Sequence, residues 1–491
     1  MRIIHRRCAG LDVHKKTISV CIRIRIHGHK TETFERVFGT FTQDLELLRE
    51  WLKEHKVKHV AMESTGVYWI PVWNVLEATR YRLELTLVNP QTVQALRGAK
   101  TDRIDAARIA EFLQHGLLRS SFVPPKPTRQ LRDLMRMRVH LQQDRNRVIN
   151  RIGRLLETAN VKLGSVATDI VGKTGRAILK AILAGNHQPE RLADLAKGSL
   201  REKKTELALA LDGRYHEHFR WLLQELVEEL ERLDRKLESL DQRLTEKMAE
   251  HEDLVRRLST IPGVSRITAW ALIAELGVDM SVFASAGHAA SWAGLCPGNT
   301  ESAGKRMSGK TRKGNRYLRR ILVQNGWAVT HMKNCFLTAL FYRISQRRGM
   351  KKAAVAIAHR VLILAYYIIR DGSEYREVGG DYFDRRDPQK TAERLTRRLE
   401  RIGFQVQVTA RPPGDPLPTM AKRGPGRPCH CAARGIVCPH GGPRVAQAGT
   451  PTPRVPATAA ECSRCHHWGI PCIHARNRTP NGNYPDPPTE S

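Results

Sequence analysis

Residues 8–22 read Cys8-Ala-Gly-Leu-Asp12-Val-His-Lys-Lys-Thr17-Ile-Ser-Val-Cys-Ile22. The run alternates as a β-strand would, and the alternation carries on to about residue 26. Asp12 interrupts it. A charge inside an apolar strand is costly to bury alone, so this carboxylate calls for a partner.

Working outward, a second strand-like run surrounds Val37 to Phe41. Asp44 to His55 repeats Leu45, Leu48 and Leu52 at helical spacing. His59 to Met62 is a short β run ending at Glu63. Residues 66–78 turn helical, residues 83–88 return to a strand stopped by Asn89-Pro90, and residues 104–115 are helical again. Early strands followed by alternating helix and strand predict an α/β domain of ribonuclease-H type.

Its acids form a set. Asp12 lies in the first strand and Glu63 at the end of a later one. Asp102 and Asp105, three apart at the opening of a helix, can face the same way. Two hard Mg²⁺ (or Mn²⁺) ions prefer carboxylate oxygens and can clamp the attacking and leaving oxygens of a phosphodiester. Taken singly, each acid is more often a helix cap or a solvated charge.

Beyond Pro124, Pro125 and Pro127 the chain reads as helical. Residues 165–205 are looser. Leu222, Leu226, Leu230, Leu233, Leu237, Leu240 and Leu244 step by three or four between charged flanks. That seam predicts a coiled coil and pairing with a second copy; the plainer reading is one long helix inside a bundle. Ser259 to Leu276 holds Ile-Pro-Gly263-Val between two helices, a helix-hairpin-helix pattern whose turn and helix start can hold a phosphate.

The chain has 491 residues, 41% of them hydrophobic, with a formal net charge of +33. That excess points to a polyanion. Membrane is the weaker reading. The best apolar stretch, Ala353 to Ile369, is broken by His359 and Arg360 and reads as a buried helix; no signal core follows the basic start. A cytoplasmic, bacterial-type, nucleoid-associated protein is expected, with Cys8, Cys21, Cys296 and Cys335 reduced.

Residues 294–320 are rich in glycine and basic residues. Ser302 is followed by Lys305 and Arg306, then by Lys310, Arg312, Lys313, Arg316 and Arg319. A hydroxyl attacking a phosphodiester needs such cations nearby. On composition alone Ser302 is an ordinary loop serine, and Ser308 lies close by.

Taken in order, these pieces resemble the DEDD transposases of the insertion sequence 110 family. The matching segments are Gly-Leu-Asp-Val-His-Lys at 10–15, Glu-Ser-Thr-Gly at 63–66, Lys-Thr-Asp-Arg-Ile-Asp-Ala at 100–106 and Ile-Pro-Gly-Val at 261–264. Ala-Gly-Leu-Cys-Pro at 293–297, Ser-Ala-Gly-Lys at 302–305 and Arg-Lys-Gly-Asn-Arg-Tyr-Leu-Arg at 312–319 follow. Each is short; the ordered set, over roughly residues 8–370, is specific. The resemblance implies a RuvC-like domain with Asp12, Glu63, Asp102 and Asp105 as its acids. It implies a C-terminal transposase domain with Ser302 as nucleophile, joined covalently to a DNA 5′ phosphate. It also implies DNA and an element-encoded structured guide RNA as partners. The family often has Ser-Gly-Gly where this chain has Ser302-Ala303-Gly304.

The last 65 residues hold six cysteines. Cys429, Cys431, Cys438 and His440 form one set; Cys462, Cys465, Cys472 and His474 form another. Second to third cysteine is seven residues and third cysteine to histidine two in both, an internal repeat with two complete tetrahedral Zn²⁺ sets. Lys422 to Pro428 resembles an AT-hook.

The resulting expectation is a RuvC-like domain at 1–124, a helical linker at 125–214, a coiled coil at 215–256 and a transposase domain at 257–372. A basic linker at 373–428, zinc motifs at 429–474 and a disordered tail at 475–491 complete it. The expected function is a transposase acting on an insertion sequence. The alternatives are a RuvC-like hydrolytic nuclease and a non-catalytic zinc-dependent DNA-binding protein.

Overall fold

The opening run is two strands. In the computed structural model β1 (Arg7–Val13) turns back into β2 (Ile18–Arg25), with Asp12 opposite Ser19. His14 N–H donates to Thr17 O at 2.9 Å and closes the turn, which contains neither glycine nor proline. The structure describes residues 2–26, 30–64, 66–78, 81–89, 102–118, 120–298, 300–302 and 305–409.

β3 (Thr31–Phe38) continues the antiparallel ladder; β4 (His59–Glu63) and β5 (Glu84–Val88) add two parallel strands. The sheet order is β3-β2-β1-β4-β5. One face is covered by α1 (Thr42–Glu54) and α2 (Trp69–Glu77). Ala9, Leu11 and Val13 of β1 meet Leu45, Leu48, Leu52 and Trp73 there in one apolar cluster. The other face carries α3 (Asp102–Gln114). Gly10 is required on it: a Cβ would stand 2.3 Å from Ala106 O and Ala110 N.

After Pro124-Pro125, α4 (Lys126–Thr158) starts with Pro127 in its first turn, where a missing N–H costs nothing. The segment expected to be loose holds α5 (Leu163–Val166), α6 (Lys173–Leu183), α7 (Pro189–Asp194) and α8 (Lys204–Ala210). α9 (Glu217–Met248) then runs back along α4. Arg138 donates to Asp241 at 2.6 Å and Arg145 to Asp234 at 2.6 Å, which fixes the pair as antiparallel. Leu223, Val227, Leu230, Leu233, Leu240 and Leu244 are buried, each contributing roughly 1.5–3 kcal/mol. The leucine seam expected to reach a second copy is therefore filled by the same chain. Leu222 and Leu226, placed in it, sit half-buried beside it.

The helical part ends with α10 (Glu252–Leu258), α11 (Arg266–Leu276), α12 (Ala286–Trp292), the hairpin β6 (Thr300–Ser302) and β7 (Lys305–Ser308), and then α13 (Arg316–Ala328), α14 (Phe336–Arg348) and α15 (Met350–Asp371). Among the described residues α15 alone is long and apolar enough to cross a membrane, and half of that stretch is buried in this core. The expected linker beyond 372 contains α16 (Tyr382–Arg386) and α17 (Pro388–Glu400) instead. Asp387 caps α17 by accepting from Lys390 N–H, and Ala392, Leu395 and Leu399 follow at helical spacing. The AT-hook-like segment and all eight zinc-motif residues lie outside the described residues.

Candidate active site

The β1–β4 ladder ends with Leu11 opposite Met62. Asp12 and Glu63 are therefore the next residues along neighbouring parallel strands. Alternation puts Asp12 on the face of Cys8 and Gly10, under α3. α3 runs antiparallel to β1: Cys8 Sγ contacts Ala110 O, Gly10 lies against Ala106, and Ile4 N–H donates to Gln114 O. The start of α3, with Asp102 and Asp105, thus lies at the Asp12 end of the strand. Three elements deliver the four acids to one end of the sheet.

Asp12 is 7% exposed. His14 Nε2 lies 3.1 Å from its Oδ2, a contact the turn at residues 14–17 sets up. Asp105 is 3.9 Å from Arg108, one turn on. The side chain of Asp102 is outside the described residues. Among those described, no three His, Cys, Asp or Glu side chains gather closely enough to hold one metal ion. The donor chemistry is hard oxygen throughout, and a near-buried aspartate beside a strand-end glutamate suits a divalent cation.

Ser302 ends β6 opposite Lys305 of β7, at the closed end of the hairpin. The side chains of residues 299–308, including Lys305, Arg306 and Ser308, are outside the described residues. Backbone pairing closes the base of the hairpin. Gly298 N–H donates to Lys310 O at 2.8 Å and Pro297 bridges Thr311. Gly294, at φ +71, passes so close to Gly314 that a Cβ on Gly314 would meet Gly294 N at 2.3 Å. Arg319, read as a DNA contact, is spent on this base, donating to Gly294 O at 2.6 Å and Thr311 Oγ1 at 2.5 Å. Lys310, Arg312, Lys313 and Arg316 are exposed.

A buried carboxylate anchors the return strand. Glu275 is 2% exposed, and its two oxygens accept from Arg136 Nε and Nη2, each at 2.9 Å. It also pairs with Arg132 at 3.2 Å and accepts from Asn315 Nδ2 at 2.5 Å. Asn315 Oδ1 in turn caps α13, accepting from Tyr317 and Leu318 N–H. Burial pulls the Arg132 guanidinium down to about 10, with Glu275 opposing the shift. Glu275 escaped notice in the sequence, yet its signal matches that of Asp12: one charge in an apolar run, Trp270-Ala-Leu-Ile-Ala-Glu275-Leu276.

A cleft of about 640 Å³ joins the two regions. Asn89, Ser120 and Phe122 line it from the sheet side, and Arg136, Lys313 and Arg316 from the helical side. Asn89 directly follows Val88, whose strand partner is Glu63. The cleft thus opens one residue beyond the strand pair that ends in Glu63. The Pro262-Gly263 turn lies between α10 and α11, with Gly263 at φ +80 and Ser265 capping α11 through Thr268 N–H. A Cβ on Gly263 would meet Asn325 at 3.0 Å, so this glycine also allows close packing on α13.

Comparison with known proteins bears on both regions. Residues 9–161 match the model for transposases of the DEDD, IS110 type, and residues 255–342 match the model for transposases of the IS116/IS110/IS902 family. A Sinorhizobium fredii protein named transposase y4pF/y4sB is 29% identical over 399 residues, covering 77% of this chain and 92% of its own. A family 20 transposase of Pseudomonas aeruginosa is 25% identical, covering 75% and 98%. The transposase for insertion sequence element IS1111A of Coxiella burnetii is 27% identical, covering 59% and 72%.

Proposed function

The chain belongs to the IS110 family of transposases, and from that premise we infer that it cuts and rejoins DNA at insertion-sequence ends with a carboxylate metal site and a serine nucleophile. The observation that supports the reading is the cleft: Asn89, one residue past the strand partner of Glu63, lines one side, and Lys313 and Gly314, beside the base of the Ser302 hairpin, line the other. The mixed sheet, three antiparallel strands leading into two parallel ones, supports a ribonuclease-H or RuvC-like domain.

Asp12, Glu63, Asp102 and Asp105 would hold Mg²⁺ or Mn²⁺. When bound, the ions supply electrostatic stabilisation of charge developing on the phosphate oxygens. His14 orients the Asp12 carboxylate. Ser302 Oγ attacks the phosphorus; the Oγ–P bond forms and the P–O3′ bond breaks. The serine proton ends on the departing 3′ oxygen. Lys305, Arg306, Lys310, Arg312, Lys313 and Arg316 hold phosphates around that step, and the Gly263 turn holds the backbone further along. Reversal of the step by a new 3′ hydroxyl rejoins the strands without external energy.

The excess of positive charge, with no base-reading module evident among the described residues, supports sequence recognition by an accompanying structured RNA, with the protein gripping backbones. The two cysteine sets of the tail would take Zn²⁺.

The test is direct. Full-length protein, Mg²⁺, element-end DNA and its flanking RNA are incubated and resolved on a denaturing gel. A protein–DNA adduct that disappears in Ser302→Ala is expected. Cleaved DNA without adduct, with Ser302→Ala still active, would replace this reading with a hydrolytic nuclease.

A further inference from the structure

Tyr317, in the first turn of α13, stands on the cleft wall. The Arg136 guanidinium carbon lies 4.6 Å from its ring centre and that of Arg316 4.8 Å. Its hydroxyl accepts from Arg316 at 2.8 Å and lies 3.0 Å from His140 Nε2. The His140 ring meets the tyrosine edge-on at 5.8 Å.

Two features distinguish this group from an ordinary surface tyrosine. First, it is preset. Arg136 Nε and Nη2 are held by the two Glu275 oxygens, so the guanidinium plane keeps its place over the ring without a ligand. Second, it sits where two hollows meet. Arg136 and Tyr317 line the 640 Å³ cleft and also a neighbouring one of about 170 Å³ that adds Gln142, Asn146, Arg320 and Gln324. The wall is cationic, planar and flanked by amides. A polyanion whose bases have flat faces to stack and hydrogen-bonding edges fits that description. In duplex DNA those faces are covered by stacking, so the ligand is an unpaired base.

We propose that Tyr317, with Arg136 fixed over its ring and the exposed Arg316 side chain drawn off it onto a neighbouring phosphate, forms a stacking seat for one unpaired base of the DNA strand lying in the cleft. DNA is the source because the cleft is lined by Asn89, beside the Glu63 strand end, and by Lys313 and Gly314, beside the base of the Ser302 hairpin, where the strand to be cut must lie. The proposal rests on the reading of the cleft given above. Its consequence is that the strand is held single-stranded and in register beside the hairpin. Arginine planes and aromatic rings accept every base, so the seat sets position and leaves sequence choice to pairing elsewhere.

The full-length protein is titrated into oligonucleotides carrying 2-aminopurine at successive positions: single-stranded DNA, the same sequence as duplex, and single-stranded RNA. A fluorescence change confined to one position of the DNA single strand is expected. Tyr317→Leu, which keeps bulk but loses the π face, should abolish that change. It should weaken single-strand binding about tenfold while duplex binding stays within about twofold. Tyr317→Phe should retain the signal. Arg316→Gln, at an exposed position, should reduce it without touching the core. A change spread over all positions, equal weakening of single strand and duplex in Tyr317→Leu, or a response to RNA alone would overturn the seat and leave the cleft reading in place. Failure of the wild-type protein to bind any of the three would overturn both.

Discussion

Asn315 donates to Glu275 across 2.5 Å, and the same asparagine caps the helix that leaves the Ser302 hairpin. A side chain from α11 therefore sets where α13 begins. The carboxylate is buried, so its three partners are obligatory: leaving one unmade costs about 1–3 kcal/mol.

The contact can be reversed. Asn315→Asp sets a second carboxylate against Glu275 and should lower adduct formation roughly tenfold or more, with a fall in melting temperature. Glu275→Gln in the same chain restores a donor–acceptor pair, because the glutamine amide now donates to the aspartate. The double variant should recover part of the lost activity, measured as adduct yield with element-end DNA, because the glutamine keeps only one acceptor oxygen for Arg136 and Arg132. Loss in the double variant equal to the sum of the singles would show that the two side chains do not act together.

Gly10 sets the depth at which α3 lies on the sheet. Gly10→Ala would press a Cβ into Ala106 O and Ala110 N, 2.3 Å away. Helix backbone cannot yield locally, so α3 must shift as a unit, carrying Asp102 and Asp105 away from Asp12. Overpacking of this kind costs about 1–3 kcal/mol. Chemical denaturation should show that loss. Mg²⁺-dependent cleavage should fall further than the stability change explains. Unchanged cleavage would separate the α3 acids from the chemistry.

The two buried acids were unequally legible. Asp12 and Glu275 both break apolar runs, but only Asp12 sat in a segment with other acids spaced to meet it. The β1–β2 hairpin read as one strand because the turn at residues 14–17 is made of His, Lys, Lys and Thr, closed by a backbone bond that composition does not announce. The leucine seam of α9 showed that a stripe exists; what covers it depends on α4, whose paired residues lie 89 and 103 positions earlier. Arg138–Asp241 and Arg145–Asp234 encode that pairing, yet charges at such separation match many partners. The helices at 382–400 were hidden by charge: with α17 burying no residue, its helical spacing is short and flanked by Arg and Lys.

The two cysteine sets make a metal prediction independent of the nuclease chemistry. Full-length protein purified without chelator should carry about two zinc ions per chain, read by elemental analysis. Cys465→Ser should lower that to about one. The cooperative unfolding of the part through Val406, a separate compact unit, should not change in that variant. Retention of both ions would remove Cys465 from the ligand set.

Asp234 makes the clearest pH prediction. Burial alone would raise its carboxyl, but hydrogen bonds from Arg145 and Arg176, at 2.6 and 2.5 Å, hold it below the usual carboxylate range. The native group therefore binds its proton less readily than the unfolded one. Its contribution is complete above the ordinary aspartate value of about 3.9 and is lost as pH falls through the lower native value. It joins α4, α6 and α9, so its loss should loosen the packing of these three helices. Asp234→Asn should cost about 1–2 kcal/mol at pH 7 in urea denaturation, a figure moderated by partial exposure. The gap between variant and wild type should narrow as the pH is lowered from 5 to below 3. A gap constant across that range would mean that the aspartate acts through shape, and that the two arginines find other partners when it is neutral.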